Sequence, residues 1–461
     1  MPESIPELIE KARAAQKVIE HWSQEQVDRM VAAVGWALYK EENAIACAEM
    51  ACKETKMGVY EDKLLKHRKK TLGTLRDLDG VKTVGVIEED AAKGLVKIAK
   101  PVGVVAAITP VTNPTSTPAG NGLAILKTRN AVIFGAHLFA RKTTALAIQH
   151  MREGLEKCGA PADLVQELPK PTKERIQELM AAADLVVATG SNALVNAAYS
   201  SGSPAYGVGA GNAVVVIDET ADIADAAHKI FLSKTFDNAT SCSSENSLVI
   251  QEGGYEATVA ALESEGGHLC SAEEREKLLA LMWPDGSALN TKIVARPILK
   301  IAEMAGLEVP EGTKFLMVEG QEPVQEDCFA SEKLSPVLTL WKYGEFAQAI
   351  EYVERITRKC GYGHSCGIHS TSNEHIMELA MSCHVSRMLV RQPQCYGNSG
   401  NYDNGMPFTM TLGCGTWGGN ITTENIAWKH FLNTTWVSSP IDPVVPDEDK
   451  LFGKYWVEFG K

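Results

Sequence analysis

The chain has 461 residues, of which 45% are hydrophobic, a length that favours two domains with separate cores. Its 58 acidic and 45 basic side chains give a net charge of −13, and no run of Lys and Arg is long enough to follow a phosphate backbone. Nucleic acid is therefore not expected as a partner.

The N-terminus and the cysteines exclude further classes of protein. The N-terminal sequence is polar and acidic, without the basic and apolar regions of a signal peptide, and no apolar stretch approaches membrane length. We therefore expect a cytoplasmic protein without a membrane partner. The eleven cysteines include no CxxC pair and no Cys/His spacing typical of zinc, which predicts reduced thiols and no metal site.

The first quarter of the chain is predicted to be helical. Apolar residues recur at helical spacing over residues 5–22, and the pattern continues over 26–56 until Gly58 offers a stop. From about residue 100, short buried strands alternate with helical segments, which is typical of a doubly wound parallel sheet. The predicted strands are 103–109, 131–136, 184–190 and 212–218, and the predicted helices are 115–127, 141–157, 171–183 and 221–236.

A second α/β region is predicted from about residue 245 to about 412, with strands at 335–341 and 386–392. The last forty or so residues, with three prolines, would not form a core alone, and we interpret them as an arm that packs on a partner subunit. The predicted domains are a cofactor-binding domain (1–237), a catalytic domain (238–415) and a final segment (416–461) that returns to the first domain and carries the arm.

Two residues stand where catalysis could occur. Cys242 lies among small polar residues between a helical segment and a strand, a setting that suits a nucleophile, although most free cysteines are inert packing residues. Asn113 follows a buried strand and precedes a helix, so its amide could point at a developing oxyanion, although Asn before Pro is also ordinary turn chemistry.

Two glycine-rich turns are weaker signals. The sequence ATGSNALV (188–195) ends a strand on a glycine and opens a helix, which suits a phosphate at the helix N-terminus, but it is not GxGxxG. The turn GVGAGN (207–212) is also compatible with a loop where two backbones approach closely.

Seven blocks in order resemble the aldehyde dehydrogenase superfamily, in its CoA-acylating branch, across nearly the whole chain. The blocks are TPVTNPTSTP, LKTRNAVIF, YSSGSPAYGVGAGN, FDNATSCSS, EKLSPVL, GYGHSCGIHS and TLGCGTWGGN. The resemblance implies an α/β fold with a Rossmann-like cofactor domain, an α/β catalytic domain and a C-terminal oligomerisation arm. It also implies a homodimer or homotetramer.

The resemblance implies roles for individual residues. Cys242 takes the nucleophile position, Asn113 the side-chain half of the oxyanion hole, and Glu332 the position that contacts the nicotinamide ribose. Addition of the Cys242 thiolate to the aldehyde and transfer of hydride to the nicotinamide would leave a thioester on Cys242. The remaining cofactor-binding positions implied are Thr109, Pro110, Gly190, Ser191, Gly209 and Pro336.

Coenzyme A is the expected acceptor of the acyl group. Hydrolytic relatives carry a glutamate in the second glycine-rich turn that activates water, and that position is Val208 here. Without general-base help, worth typically about 10²–10⁴-fold, water is a poor nucleophile at neutral pH. His364 is a candidate to accept the CoA proton, although a lone His is as often a packing residue.

The cofactor is expected to be NADP rather than NAD. The segment 135–142, which faces the adenine ribose in this family, contains no Asp or Glu that would repel a 2′-phosphate. His137, Arg141 or Lys142 could pair with that phosphate, or they could be ordinary charges at a helix end.

The substrate is expected to be a short anionic aldehyde. In residues 389–408, the Asn-Thr-Pro of branch members acting on acetaldehyde or propanal is replaced by Arg391, Gln392 and Pro393. The fixed charge of Arg391, with Gln394 and Asn398, suits a sulfonate, carboxylate or phosphate, although a surface ion pair would explain the arginine equally well. This loop resembles that of acylating sulfoacetaldehyde dehydrogenases, which interconvert sulfoacetaldehyde and sulfoacetyl-CoA.

Three alternatives remain open at this stage. The same chemistry could act on acetaldehyde or propanal with NAD. A cysteine hydrolase using Cys242 and His364 would need no cofactor site, which the Rossmann-like first half and Glu332 argue against. A non-catalytic subunit of a larger assembly would have no need to keep Cys242, Asn113 and Glu332 together.

Overall fold

The computed structural model describes residues 3–461 and divides them among three β-sheets flanked by helices. No helix within this range is long and apolar enough to cross a membrane. The α-helices are α1 (Ile5–Ile19), α2 (Gln24–Tyr39), α3 (Glu41–Thr55), α4 (Tyr60–Leu78), α5 (Ser116–Lys127), α6 (Arg141–Lys157), α7 (Lys173–Ala182), α8 (Asn192–Tyr199), α9 (Ile223–Thr235), α10 (Tyr255–Ser264), α11 (Ala272–Met282), α12 (Ile298–Ala305), α13 (Phe346–Lys359), α14 (Asn373–Ser382), α15 (Gln394–Gly397) and α16 (Glu448–Phe459).

The strands are β1 (Gly85–Asp90), β2 (Leu95–Pro101), β3 (Val104–Ile108), β4 (Ala131–Gly135), β5 (Val165–Glu167), β6 (Leu185–Thr189), β7 (Ala205–Val208), β8 (Ala213–Ile217), β9 (Glu245–Gln251), β10 (Gly267–Leu269), β11 (Phe315–Glu319), β12 (Val337–Tyr343), β13 (Gly363–His369), β14 (Val385–Val390) and β15 (Leu432–Ser438).

The four N-terminal helices begin and end where local chemistry directs. Ser4 and Ser23 each cap a helix through a reciprocal bond with the residue three positions on, which satisfies exposed backbone N–H groups of α1 and α2. The predicted long helix over 26–56 is two helices, because the backbone of Lys40 leaves the helical region between them. The helix α3 ends at Lys56, which adopts a left-handed conformation.

A five-stranded parallel sheet, in the order β5-β4-β3-β6-β7, forms the centre of the first half. Its central strands β3 and β4 are buried along their whole length, as the apolar runs predicted. Chain order reverses between β3 and β6, so the carboxyl ends of these strands border a crevice where ligands settle in open α/β sheets. The α/β fold class expected from the sequence is confirmed.

A seven-stranded parallel sheet, in the order β10-β11-β12-β9-β8-β13-β14, forms the second half. The strand predicted at 212–218 is β8, and it pairs with β9 and β13 in this sheet rather than with the first sheet. The chain therefore passes from one sheet to the other directly after Val208, well before residue 237. Apolar continuity predicted the strand but could not predict its partners.

The C-terminal segment completes a small antiparallel sheet, in the order β1-β2-β15. Nearly all of β15 is exposed, and α16 buries none of its residues in this chain. This placement agrees with the interpretation of the segment as an arm.

Candidate active site

A cavity of about 1060 Å³ lies at the carboxyl ends of β3, β4, β6 and β7, where the two large sheets meet. One wall comes from the segments after these strands, including Thr109 to Asn113 and Gly190 to Leu194. The other wall comes from the second half and is formed by Thr240, Ser241, Cys242, Ser243, Glu332, Leu334, Ser399, Met410 and Leu412.

The loop that presents Cys242 is held by a buried charge cluster. Three successive residues, Asp237 to Ala239, adopt positive φ angles of 51°, 52° and 57°, a conformation that persists only when its surroundings impose it. The buried Asp237 carboxylate accepts hydrogen bonds from Lys63 Nζ at 3.1 Å and from the Val59 N–H at 2.9 Å, and it also accepts one from Lys66. The helix α4 therefore positions the loop.

Cys242 Sγ lies 3.4 Å from His364 Nε2, although the two residues are 122 positions apart. His364 lies near the start of β13, and its Nδ1 is 2.8 Å from Ser365 Oγ. The contact depends on Gly211, because a Cβ there would lie 2.0 Å from the Cys242 carbonyl oxygen and 3.0 Å from His364 Nε2. The second glycine-rich turn thus allows its backbone to approach that of Cys242 closely.

Three titratable groups at or near Cys242 are held in their uncharged forms near pH 7. Burial, with the nearby Glu332, raises the pKa of Cys242 to about 12. Burial, with the nearby Arg387, lowers the pKa of His364 to about 3. Burial also raises the pKa of Glu332 to about 8, and its Oε1 atom has no partner among the described protein atoms. Thiol, imidazole and carboxylic acid are therefore all uncharged before ligands bind.

Asn113 lies in the cavity wall immediately before α5 and is 7% exposed. Its Nδ2 donates a weak hydrogen bond to Thr112 Oγ1 at 3.3 Å, and its Oδ1 has no partner among the described protein atoms. The amide is thus available to the cavity that contains Cys242, as the motif predicted.

The predicted cofactor residues mostly line the same cavity. Thr109, Pro110, His137, Gly190, Ser191 and Gly209 all contribute to its wall. Ser191 caps α8 by accepting from the Leu194 N–H, which directs the positive end of that helix toward the cavity. Thr109 Oγ1 is buried without a partner, so a cofactor hydroxyl could pair with it.

Sequence reasoning missed Lys173, which lines the far end of the cavity together with His137. Arg141 and Lys142, considered beside His137, do not line it. The sequence held a signal for Lys173, because Thr172 is a good helix-capping residue and the next residue then lies in the first turn of α7.

Besides His364 and Arg391, three predicted residues lie outside the cavity wall. Pro336 is buried, and its carbonyl accepts from the Leu316 N–H within the second sheet. Gln394 and Asn398 are 1% and 0% exposed, and Asn398 Nδ2 donates to Gln394. They support the loop, whereas the next residue, Ser399, reaches the cavity.

Arg391 is not brought to Cys242. It directly follows β14 with a positive φ of 51°, and its N–H donates to the Ile368 carbonyl. It lines a separate polar cavity of about 540 Å³ with Asp222, Asp225, Lys229, His369, Ser370, Thr371 and Val390. The sequence predicted that Arg391 contacts the aldehyde. The structure instead places Arg391 at the separate cavity, after a left-handed turn of the backbone.

Carboxylates that could activate water are scarce in the cavity. Val208 is 2% exposed at the end of β7, and no acidic residue replaces it. Among the described residues of the cavity wall, only Glu174 and Glu332 carry carboxyl groups, and Glu174 lies at the far end beside Lys173.

The model of the aldehyde dehydrogenase family matches residues 2–272, more than half of the chain. The chain belongs to the aldehyde dehydrogenase family. The acylating sulfoacetaldehyde dehydrogenase of Bilophila wadsworthia is 48% identical to it over 99% of this chain and 100% of that protein.

Two solved aldehyde dehydrogenases share the architecture. An acetylating aldehyde dehydrogenase from Geobacillus thermoglucosidasius has a TM-score of 0.92 and 38% identity over 96% of this chain and 98% of that one. A propionaldehyde dehydrogenase from Rhodopseudomonas palustris with bound propionyl-CoA has a TM-score of 0.86 and 27% identity over 95% of each chain.

The uncharged state of the Cys242 thiol in this aldehyde dehydrogenase can be tested by alkylation. We expect the rate at which iodoacetamide modifies Cys242 in the ligand-free enzyme to rise close to tenfold per pH unit from pH 7 to 10, because only the thiolate reacts and its pKa lies near 12. Peptide mass spectrometry would follow Cys242 separately, with Cys242→Ala as the control. A rate of alkylation that is already maximal at pH 7 would show that Cys242 is a thiolate in the ligand-free enzyme and would contradict the uncharged Cys242–His364 pair.

Proposed function

We propose that this aldehyde dehydrogenase oxidises sulfoacetaldehyde with NADP⁺ and transfers the acyl group to CoA, forming sulfoacetyl-CoA. The observation that carries the proposal is the Cys242–His364 contact in a cavity where the carboxyl group nearest the thiol, that of Glu332, is mostly uncharged at pH 7 and is therefore a poor base for water. The 48% identity to the acylating sulfoacetaldehyde dehydrogenase supports the substrate, and the similarity to an enzyme with bound propionyl-CoA supports the acyl acceptor.

The cavity wall fits a nicotinamide cofactor. Thr109 and Glu332, each with an unpaired side-chain oxygen, line the cavity of about 1060 Å³, and the N-terminus of α8 suits the pyrophosphate of a dinucleotide. His137 and Lys173 at the far end would favour a 2′-phosphate, which is why we propose NADP over NAD. When bound, the cofactor supplies a hydride acceptor.

The first half of the reaction forms a thioester on Cys242. As Cys242 Sγ bonds to the aldehyde carbon, its proton passes to His364 Nε2, which lies 3.4 Å away. Asn113 Nδ2 donates to the oxygen that gains negative charge, and the low polarity that raises the thiol pKa also strengthens this hydrogen bond. Loss of hydride from the same carbon would leave the acyl group on sulfur, and His364 then releases its proton to solvent before CoA enters.

The second half needs a nucleophile stronger than water. His364 is uncharged near pH 7 and lies beside Cys242, so it is the group placed to accept the proton of an incoming CoA thiol. Attack of CoA sulfur on the thioester then releases the Cys242 thiolate, which recovers a proton. Water lacks comparable help, since Val208 stands where a general base would be needed.

We also propose that the arm formed by β15 and α16 packs on a second copy of the chain. Its exposed apolar residues are numerous for a monomer surface and include Trp436, Val437, Leu451, Phe452, Tyr455 and Phe459. Light scattering should give the mass of a dimer or tetramer for the whole chain. A monomer at micromolar concentration would contradict this assignment.

Turnover tests the proposed function. Reduced cofactor should accumulate with sulfoacetaldehyde, NADP⁺ and CoA together, and omission of CoA should abolish steady turnover, because the thioester persists without a thiol acceptor. Cys242→Ala should remove activity, whereas His364→Ala should slow CoA-dependent turnover by about 10²-fold or more. Steady turnover without CoA would overturn the acylating assignment, and a preference for acetaldehyde would overturn the substrate.

A further inference from the structure

Helix α4 brings several lysines to the face that packs against the rest of the protein. Lys63, Lys66 and Lys70 recur at helical spacing and are 5%, 6% and 5% exposed. Lys63 and Lys66 share the Asp237 carboxylate. Within residues 3–461, no carboxylate pairs with Lys70, so this buried amine has no counterion when it is protonated.

Lys70 lies directly behind the wall of the cavity that contains Cys242. Its Nζ donates to the Ser399 carbonyl oxygen at 3.0 Å and to the Gly400 carbonyl oxygen at 2.7 Å, and Ser399 forms part of the cavity wall. Burial, with the nearby Lys69, lowers the pKa of Lys70 to about 7. Two of its three N–H groups are thereby used, and an anion on the cavity side would stabilise its charged form.

Helix α5 adds a polar stripe that starts in the same cavity. Asn113, Thr117 and Asn121 succeed one another at four-residue steps and therefore share one helix face. Thr117 and Asn121 are 0% and 3% exposed, yet Thr117 Oγ1 and Asn121 Nδ2 have no partner among the described protein atoms.

The facing surface of α4 contributes a third unpaired atom. Thr74 lies one turn beyond Lys70, is 4% exposed, and its Oγ1 has no partner. It lies 3.7 Å from the position that a Cβ of Gly120 would occupy, so it faces α5 next to Asn121. Burying a polar group without a partner is costly, so several such groups between α4 and α5 indicate a site that a ligand completes.

We propose that Lys70, with Thr74, Thr117 and Asn121, binds the terminal anionic group of the aldehyde. A sulfonate accepts hydrogen bonds on three oxygens and carries the negative charge that would pair with Lys70. The three other side chains supply two hydroxyls and an amide N–H. The assignment rests on the proposed function, whose substrate it explains, and it replaces Arg391 as the anion-recognising residue.

The decisive variant is Lys70→Met, which keeps the length of the side chain and removes its charge. We expect kcat/KM for sulfoacetaldehyde to fall by at least about 30-fold, because the sulfonate would be buried without its partner, while kcat/KM for acetaldehyde changes by less than about threefold. Arg391→Ala is the matched control, since it removes a cation outside the cavity, and it should leave the ratio of the two substrates unchanged.

A second pair of variants distinguishes loss of anion binding from a general effect of Lys70 on the loop at Ser399. Thr117→Val and Asn121→Leu leave the contacts of Lys70 intact and should also lower the preference for sulfoacetaldehyde. Succinate semialdehyde, which carries a carboxylate on a longer chain, separates recognition of a sulfonate from recognition of any terminal anion.

Binding of ethanesulfonate, an unreactive sulfonate, gives a readout independent of turnover. Calorimetric titration should detect binding to the wild type and at least a tenfold weaker affinity in Lys70→Met. If wild-type enzyme fails to oxidise sulfoacetaldehyde with CoA, the proposed function fails. If the wild type is active but Lys70→Met leaves both the substrate ratio and the ethanesulfonate affinity unchanged, the anion site is wrong.

Discussion

The close approach of Gly211 to Cys242 and His364 is the constraint on which the active site depends. A side chain there would overlap the Cys242 backbone and separate the thiol from the imidazole. Gly211 lies in the short connection between the last strand of one sheet and β8 of the other. The same few residues therefore join the two halves, exclude a water-activating carboxylate and permit the Cys242–His364 contact.

The low polarity of this junction determines how the residues can act. Burial leaves the thiol, the imidazole and the Glu332 carboxyl uncharged, so the site holds no reactive thiolate until ligands arrive. A neutral imidazole is the form that can accept a proton, first from Cys242 and later from CoA. Burial likewise lowers the pKa of Lys70 to about 7, and we infer that the anionic substrate stabilises its protonated form.

Elements and local motifs could be predicted from the sequence, whereas their partners could not. Cys242 and Asn113 follow recognisable strand ends and turns, and they reach the cavity as predicted. β8 was predicted as a strand, yet its neighbours are chosen by packing over more than a hundred residues. Arg391 was misplaced because a single left-handed residue redirects the chain, and Lys70 was overlooked because an amphipathic pattern does not reveal which lysine lacks a counterion.

The central claim is that the acyl group rests on Cys242 until CoA removes it. Intact-protein and peptide mass spectrometry after incubation with sulfoacetaldehyde and NADP⁺, without CoA, measures this directly. The account predicts one acyl adduct per chain, located on Cys242, which disappears when CoA is added. Rapid loss of the adduct in water alone, or an adduct on another residue, would contradict it.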